Sequence, residues 1–136
     1  MSDFPVTIYH NPDCGTSRNV VAMVEAAGYV PTIVEYRQAG WSRALLEQLL
    51  AAMGAGPREI LREKGTPAAA LGLLDPAATD AAILDAMVAE PILVNRPIVV
   101  TPKGTALCRP SEAVLTLLER VPDRFVKEDG EVVRPS

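Results

Sequence analysis

The stretch that decides the fold covers residues 8–19 and reads Ile-Tyr-His-Asn-Pro-Asp-Cys-Gly-Thr-Ser-Arg-Asn. Alternating apolar residues (Val6, Ile8) lead into a turn rich in Asn, Pro, Asp and Gly, and apolar residues then recur from Val20 to Val24. This pattern predicts a strand, a loop and a helix, with Cys14 at the start of the helix. The free N–H groups and the positive dipole end of a helix N-terminus favour a thiolate and bind oxyanions. Cys14 is therefore a candidate nucleophile beside a candidate anion site.

The bulk composition is that of one globular domain, which we assign to residues 1–136. The chain has 136 residues, 49% of them hydrophobic, and a formal net charge of −4. This charge gives no reason to expect a nucleic-acid partner, and it means that any anion site must be built locally from arginines and backbone N–H groups. The sequence contains no apolar run long enough to cross a membrane and no basic-apolar signal segment. We therefore expect no membrane association, a cytoplasmic location and reduced thiols.

Residues that end helices and strands divide the first part of the chain into a β-α-β unit. We predict strands over about residues 7–9 and 32–35, and a helix over about residues 16–27 that stops at Gly28. The two strands of such a unit are parallel and joined by a right-handed crossover. The middle of the chain, about residues 42–91, is predicted to be a helical insertion made of three separate helices. Ser42 and Thr79 are predicted N-caps there, and Pro57 fits the first turn of a short helix.

The last part of the chain predicts a hairpin and a helix. The apolar run over residues 92–101 leads into a turn at residues 102–104 and a returning strand at residues 106–108. Ser111 is the predicted cap of a final helix, and the charged tail after Pro122 is left unassigned. The order β-α-β, helical insertion, β-β-α is that of the α/β thioredoxin-like fold. In that fold a proline before the third strand lies beside the redox cysteine, so the resemblance predicts a cis peptide bond between Arg96 and Pro97.

The spacing around Cys14 excludes two familiar cysteine chemistries. A dithiol redox site needs a second cysteine three residues further on, where this chain has Ser17. A phosphatase loop of the form Cys-x5-Arg needs an arginine where this chain has Val20. What remains is a single nucleophilic thiol whose resolving partner is either Cys108 or an external thiol.

Four segments of the chain closely resemble the glutaredoxin-coupled arsenate reductases. They are Tyr-His-Asn-Pro-x-Cys-Gly-Thr-Ser-Arg-Asn at residues 9–19, Ile-Leu-Arg at 60–62, Asn-Arg-Pro-Ile-Val-Val-Thr-Pro at 95–102 and Leu-Cys-Arg-Pro-Ser-Glu at 107–112. The resemblance runs from about residue 7 to about residue 130 with the family's spacing kept. It implies that the Cys14 thiolate attacks arsenate and forms a thiol–arsenic ester. Glutathione, as co-substrate, then reduces the arsenic, and glutaredoxin clears the mixed species so that arsenite is released.

The same resemblance assigns further site residues. Three arginines hold the oxyanion in the family, and they fall on Arg62, Arg96 and Arg109, whose guanidinium groups donate paired hydrogen bonds to such oxygens. His10 resembles a histidine that supports the thiolate, and the Ser17 hydroxyl is placed to donate a hydrogen bond to it. The family carries no permanently bound cofactor, and one histidine with two distant cysteines cannot form a metal site.

Other charged residues and the second cysteine have simpler interpretations. A carboxylate next to a thiolate and an oxyanion opposes both, so we expect the Asp13 side chain to face solvent. Cys108 lies in an apolar strand and is interpreted as a core residue. Several arginines outside the motifs, Arg18 among them, are expected to be solvated.

Two alternative functions remain open from the sequence. Redox-sensing regulators of the same fold family bind RNA polymerase without catalysing a reaction, but they carry the Cys-x-x-Cys switch that Ser17 interrupts. A thiol oxidoreductase acting on another substrate would keep Cys14 and one arginine. The three arginines favour arsenate.

Overall fold

The computed structural model describes residues 4–134, which form two compact units. The first unit contains the described residues up to Glu35 and from Arg96 onward, and the second covers Tyr36–Asn95. The sequence predicted a helical insertion over about residues 42–91. The second unit begins earlier because a helix starts at Tyr36, directly after the preceding strand. The assignment of residues 1–136 to one domain stays a prediction.

The first unit is built on a four-stranded sheet. Its strands are β1 (Thr7–His10), β2 (Thr32–Glu35), β3 (Ile98–Thr101) and β4 (Gly104–Leu107), in the spatial order β2-β1-β3-β4. β1 pairs with β2 in parallel, whereas β1 with β3 and β3 with β4 are antiparallel. Helix α1 (Gly15–Ala26) makes the crossover from β1 to β2. The predicted order of strands and helices is confirmed.

The core of the first unit lies between the sheet and its helices. Ile8 and Val99, which are cross-strand partners in β1 and β3, are fully buried, as are Val20 and Met23 on α1. A helix over Ser111–Leu117 contributes Val114 to the same cluster. Apolar spacing on α1 that matches the helical period places one face against the sheet, which fixes the end of α1 that carries Cys14.

The final helix differs from the prediction in two ways. It is a 3-10 helix, and the residue at its N-cap is Pro110 with no side-chain cap, so Ser111 does not cap it. The peptide bond between Arg96 and Pro97 is cis, as predicted, and the bond between Arg109 and Pro110 is also cis. The unassigned tail forms a short antiparallel hairpin of β5 (Phe125–Val126) and β6 (Val132–Val133).

The second unit is helical except at residues 61–79, which form turns and a single bridge between Leu61 and Val94. It contains α2 (Tyr36–Ala39), α3 (Arg43–Met53) and α4 (Asp80–Ala89), with 3-10 helices at Pro57–Ile60 and Pro91–Leu93. The predicted caps are confirmed, because Ser42 accepts a hydrogen bond from the N–H of Leu45 and Thr79 accepts one from the N–H of Ala82. Within residues 4–134, no helix has the length and apolar character needed to cross a membrane.

Candidate active site

The turn between β1 and α1 places Cys14 at the N-cap of the helix. The backbone N–H of Cys14 donates to the Asn11 carbonyl at 3.0 Å, and the N–H of Asp13 donates to the Asn11 side-chain oxygen at 2.9 Å. The Cys14 carbonyl then accepts from the N–H of Arg18 at 2.9 Å, which is the first bond of the helix. Asn11 is buried and holds the turn from within. The predicted position of Cys14 at the helix start is confirmed.

The sulfur of Cys14 is buried but faces hydrogen-bond donors. The residue is 6% exposed, and Arg109 Nη1 lies 3.6 Å from Sγ. Burial raises the pKa of Cys14, but the N–H of Ser17, the hydrogen bond from Arg109 and the positive charges of Arg96 and Arg109 lower it. The lowering effects prevail, so the pKa of Cys14 lies below that of an ordinary thiol.

The β3–β4 hairpin explains why two distant arginines meet. Arg96 lies just before β3 and Arg109 just after β4, and the pairing of Ile98 with Leu107 brings these two ends of the hairpin together. Arg109 Nη1 donates to the Arg96 carbonyl at 3.0 Å as well as to Sγ. The hairpin therefore carries both positive charges to the N-terminus of α1, where the sequence places the nucleophile.

His10 and Ser17 form a network behind the sulfur. Ser17 is fully buried, and its hydroxyl lies 2.6 Å from His10 Nδ1 and accepts the Asn11 N–H at 3.0 Å. The Ser17 hydroxyl does not donate to the thiolate as expected, and it is the backbone N–H of Ser17 that helps to lower the pKa of Cys14. The reason is that the hydroxyl points toward β1, whereas the first-turn N–H groups of a helix point toward its N-cap. His10 therefore reaches the thiol site through Ser17.

Two charged residues, Asp13 and Arg18, lie close to Cys14 in the sequence. Asp13 is exposed, in agreement with the expectation that its carboxylate faces solvent. Arg18 is exposed, as expected, and its guanidinium also forms a bidentate ion pair with Glu128 at 2.8 and 3.0 Å and donates to the Pro12 carbonyl at 2.8 Å. No local signal could have predicted this pairing, because Glu128 lies in the tail that the sequence left unassigned.

Arg62 belongs to the second unit. Its backbone N–H donates to the Leu93 carbonyl at 2.7 Å, and its Nε donates to the Lys64 carbonyl at 3.0 Å. These contacts fix the segment after the 3-10 helix Pro57–Ile60 inside its own unit. The predicted role of Arg62 in oxyanion binding rests on the motif resemblance and stays a prediction.

Cys108 is a core residue, as predicted. It has no solvent exposure, and burial raises the pKa of its thiol to about 12. Both cysteines are free thiols. The described part of the chain holds no cluster of three His, Cys, Asp or Glu side chains that could bind a metal ion.

Proteins that combine this sheet order with a thiol at the start of the first helix form the thioredoxin-like class, and the chain falls within it. Within that class the comparisons are specific. The ArsC family model matches residues 9–117, and the chain belongs to the ArsC family.

Named relatives agree with this assignment over nearly the whole chain. An arsenate reductase of Synechocystis sp. is 58% identical over 134 residues, which cover 98% of this chain and 93% of the relative. An arsenate reductase of Rhizobium meliloti is 58% identical over 132 residues, which cover 94% of this chain and 92% of the relative. The structure of an arsenate reductase from Vibrio cholerae superposes with a TM-score of 0.81 at 35% identity, covering 86% of this chain and 100% of that one.

Proposed function

We propose that this protein is an oxidoreductase that reduces arsenate to arsenite, with Cys14 as its nucleophile. The observation that carries the proposal is the Cys14 sulfur, which lies at a helix N-terminus with Arg109 Nη1 3.6 Å away and has a lowered pKa. The relatives described above bear the name arsenate reductase at 58% identity. Site and family therefore point to the same chemistry.

In the first step the Cys14 thiolate attacks arsenic and a hydroxide leaves. A sulfur–arsenic bond forms and an arsenic–oxygen bond breaks, so the arsenic is still in its oxidised state. Two further electrons must come from thiols. In the complete reaction one arsenic acid and two thiols give one arsenous acid, one disulfide and one water. A lowered pKa of Cys14 supports the first step because the thiolate, not the thiol, is the nucleophile.

We assign oxyanion binding to Arg62, Arg96 and Arg109. Arg109 is exposed, and its Nε and Nη2 form no hydrogen bond with residues 4–134, so these donors are available to an oxyanion. Arg96 contributes positive charge near the sulfur, as its effect on the pKa of Cys14 indicates. Arginine donors that are in place before the reaction stabilise charge that develops on oxygen. The assignment of Arg62 is supported by its motif alone.

His10 and Ser17 complete the proposed catalytic set. Ser17 supports the thiolate through its backbone N–H, and its hydroxyl links that turn of the helix to His10 at 2.6 Å. A protonated His10 would donate to the hydroxyl, whereas a neutral His10 with Nδ1 unprotonated would accept from it. Either arrangement ties the first turn of the helix to His10 at the end of β1.

The second thiol is proposed to come from glutathione, with glutaredoxin as the protein reductant. Cys108 is unsuited to this role, because it is fully buried and its pKa is raised to about 12. The sequence has no third cysteine. An external thiol is therefore required. Glutathione as co-substrate, the absence of a resident cofactor and a cytoplasmic location all agree with this scheme.

A coupled assay tests the proposal. Full-length protein is given arsenate, glutathione, glutaredoxin and glutathione reductase, and NADPH oxidation is followed. We expect turnover that requires each component and is lost in Cys14→Ser but kept in Cys108→Ala. If the wild type shows no turnover, arsenate reduction is wrong. Recovery of RNA polymerase in a pull-down would then favour the regulator, and turnover of another thiol substrate would favour a different oxidoreductase.

A further inference from the structure

The C-terminal hairpin, formed by β5, β6 and the turn between them, contacts the first turn of α1. We call it the tail hairpin (residues 125–133). The backbone N–H of Glu128 donates to the side-chain oxygen of Asn19 at 3.1 Å. The Glu128 carboxylate accepts from Nε and Nη2 of Arg18 at 2.8 and 3.0 Å. A methyl group at Gly15 would lie 3.6 Å from both Arg18 Nη2 and Glu128 Oε1, so this ion pair covers the start of the helix.

Arg18 connects the tail hairpin to the turn that carries the nucleophile. Its remaining nitrogen, Nη1, donates to the Pro12 carbonyl at 2.8 Å. Pro12 lies in the middle of the turn that begins at Asn11 and closes with the hydrogen bond from Cys14 N–H to the Asn11 carbonyl. One guanidinium therefore spans from the Glu128 carboxylate to the backbone two residues before the reactive sulfur.

We propose that Arg18 is a positioning residue for the turn at residues 11–14 and that Glu128 holds Arg18 in the position this requires. The side chains of Arg18 and Glu128 are 44% and 48% exposed, so neither is fixed by packing. A long exposed side chain loses rotamer freedom when one geometry is imposed on it, and a bidentate carboxylate supplies that geometry. Because Nε and Nη2 of Arg18 bind the Glu128 carboxylate, Nη1 is directed at the Pro12 carbonyl. The catalytic consequence rests on the proposed function, whereas the effect on the sulfur does not.

A second anchor keeps the tail hairpin in place when Glu128 is changed. Lys127 Nζ lies 2.8 Å from Glu112, on the 3-10 helix Ser111–Leu117, and also pairs with Glu131. The Lys127 side chain is only 10% exposed. Replacement of Glu128 therefore removes the contact with Arg18 without detaching the hairpin.

The direction in which the pKa of Cys14 changes when Glu128 is removed separates a positioning role from simple charge compensation. Arg18 is close enough to Cys14 for their charges to interact. If Glu128 only neutralised Arg18, its removal would leave more positive charge near the sulfur, and the pKa of Cys14 would fall. If Glu128 positions the turn through Arg18, its removal loosens the approach of the Ser17 N–H and Arg109 to the sulfur. The pKa of Cys14 would then rise.

The experiment uses four full-length variants. They are Glu128→Gln, Arg18→Gln, the double variant that carries both of these changes, and Glu131→Gln. The last is a matched control, because it removes a carboxylate of the same hairpin that does not contact Arg18. The rate of Cys14 alkylation by iodoacetamide is measured against pH, with the modified residue identified by mass spectrometry. The kcat and KM for arsenate and the melting temperature are measured on the same samples.

We expect Glu128→Gln to raise the midpoint of Cys14 alkylation and to lower kcat/KM by about three- to tenfold through kcat, since small displacements of a reacting group are costly. Arg18→Gln should have the larger effect, the double variant should match it, and Glu131→Gln should match the wild type. A midpoint that is lowered or unchanged in Glu128→Gln would overturn the proposal. Absence of turnover in the wild type would refute the proposed function instead, and the alkylation midpoints would still decide the positioning role.

Discussion

The two cysteines of this chain occupy two regions of the same unit and differ in chemistry although both are buried. Cys14 is 6% exposed in the turn before α1, and Cys108 is 0% exposed at the end of β4. The pKa of Cys14 is lowered, whereas that of Cys108 is raised to about 12. Burial is common to both sites, so it does not decide which thiol is reactive.

The hydrogen-bonding groups around each sulfur account for the difference. The Cys108 thiol donates to the Ala106 carbonyl oxygen at 3.7 Å, and this oxygen is an acceptor that cannot stabilise a thiolate. The sulfur of Cys14 faces the Ser17 N–H and the guanidinium of Arg109. Donors and positive charge outweigh the desolvation of a thiolate at the first site and are missing at the second.

The largest effect is expected when the two cysteines are replaced one at a time by an inert residue, because only Cys14 is needed for activity. Cys14→Ser removes the only reactive thiol, so arsenate reduction should fall to background, by about a thousandfold or more. Cys108→Ala should keep kcat/KM within about twofold and lose about 1–2 kcal/mol of unfolding free energy, because it leaves a small cavity in the core. The coupled assay and urea unfolding measure the two quantities. Loss of turnover in a folded Cys108→Ala variant would break the distinction between the sites.

A second test removes the guanidinium that distinguishes the Cys14 site. Arg109→Ala loses both a hydrogen bond and a charge at the sulfur, so the pKa of Cys14 should rise and kcat/KM should fall by about ten- to a hundredfold. Arg96→Ala loses a charge only and should raise the pKa of Cys14 less. Arg124→Ala removes an exposed positive charge of the same unit and serves as the control. Equal alkylation profiles for Arg109→Ala and Arg124→Ala would contradict this view of the site.

A smaller effect is expected at Ser17. Ser17→Ala removes the acceptor for the buried N–H of Asn11 and should cost about 1–3 kcal/mol of unfolding free energy. The backbone N–H at position 17 remains, so the pKa of Cys14 should rise less than in Arg109→Ala. Ser42→Ala is the matched control, since it removes a helix cap in the second unit and should cost about 1 kcal/mol. A pKa of Cys14 that shifts more in Ser17→Ala than in Arg109→Ala would show that the hydroxyl is the main support of the thiolate.

Much of the fold could be predicted because local patterns and tertiary packing agree. β2 was predicted at its observed residues, since Gly28 and Pro31 mark the boundary before it. The final helix was assigned correctly as a helix but not as a 3-10 helix, because apolar spacing over two short turns does not distinguish the two types. The tail hairpin was missed because its strands have two residues each and charged residues surround them.

The place of Cys14 in the fold could be predicted from the sequence, whereas the contacts of the neighbouring side chains could not. The position of Cys14 followed from the turn and the helical spacing, whereas the arginines came from family motifs. A side-chain hydrogen bond from Ser17 to the thiolate was predicted, but the hydroxyl contacts His10 and Asn11, and the backbone N–H of Ser17 lowers the pKa of Cys14 instead. Side-chain orientation depends on which partner is near, and neither the His10 contact nor the Arg18–Glu128 pair is a local property of the sequence.

The most direct test is the pH dependence of iodoacetamide alkylation of Cys14 in the native protein, measured beside the same residue in protein unfolded by urea. The unfolded chain supplies the pKa of this thiol without its folded surroundings. We predict that the native midpoint lies below the unfolded one and that Cys108 is labelled only after unfolding. A native midpoint at or above the unfolded value would contradict the claim that hydrogen-bond donors and arginines hold Cys14 as a thiolate.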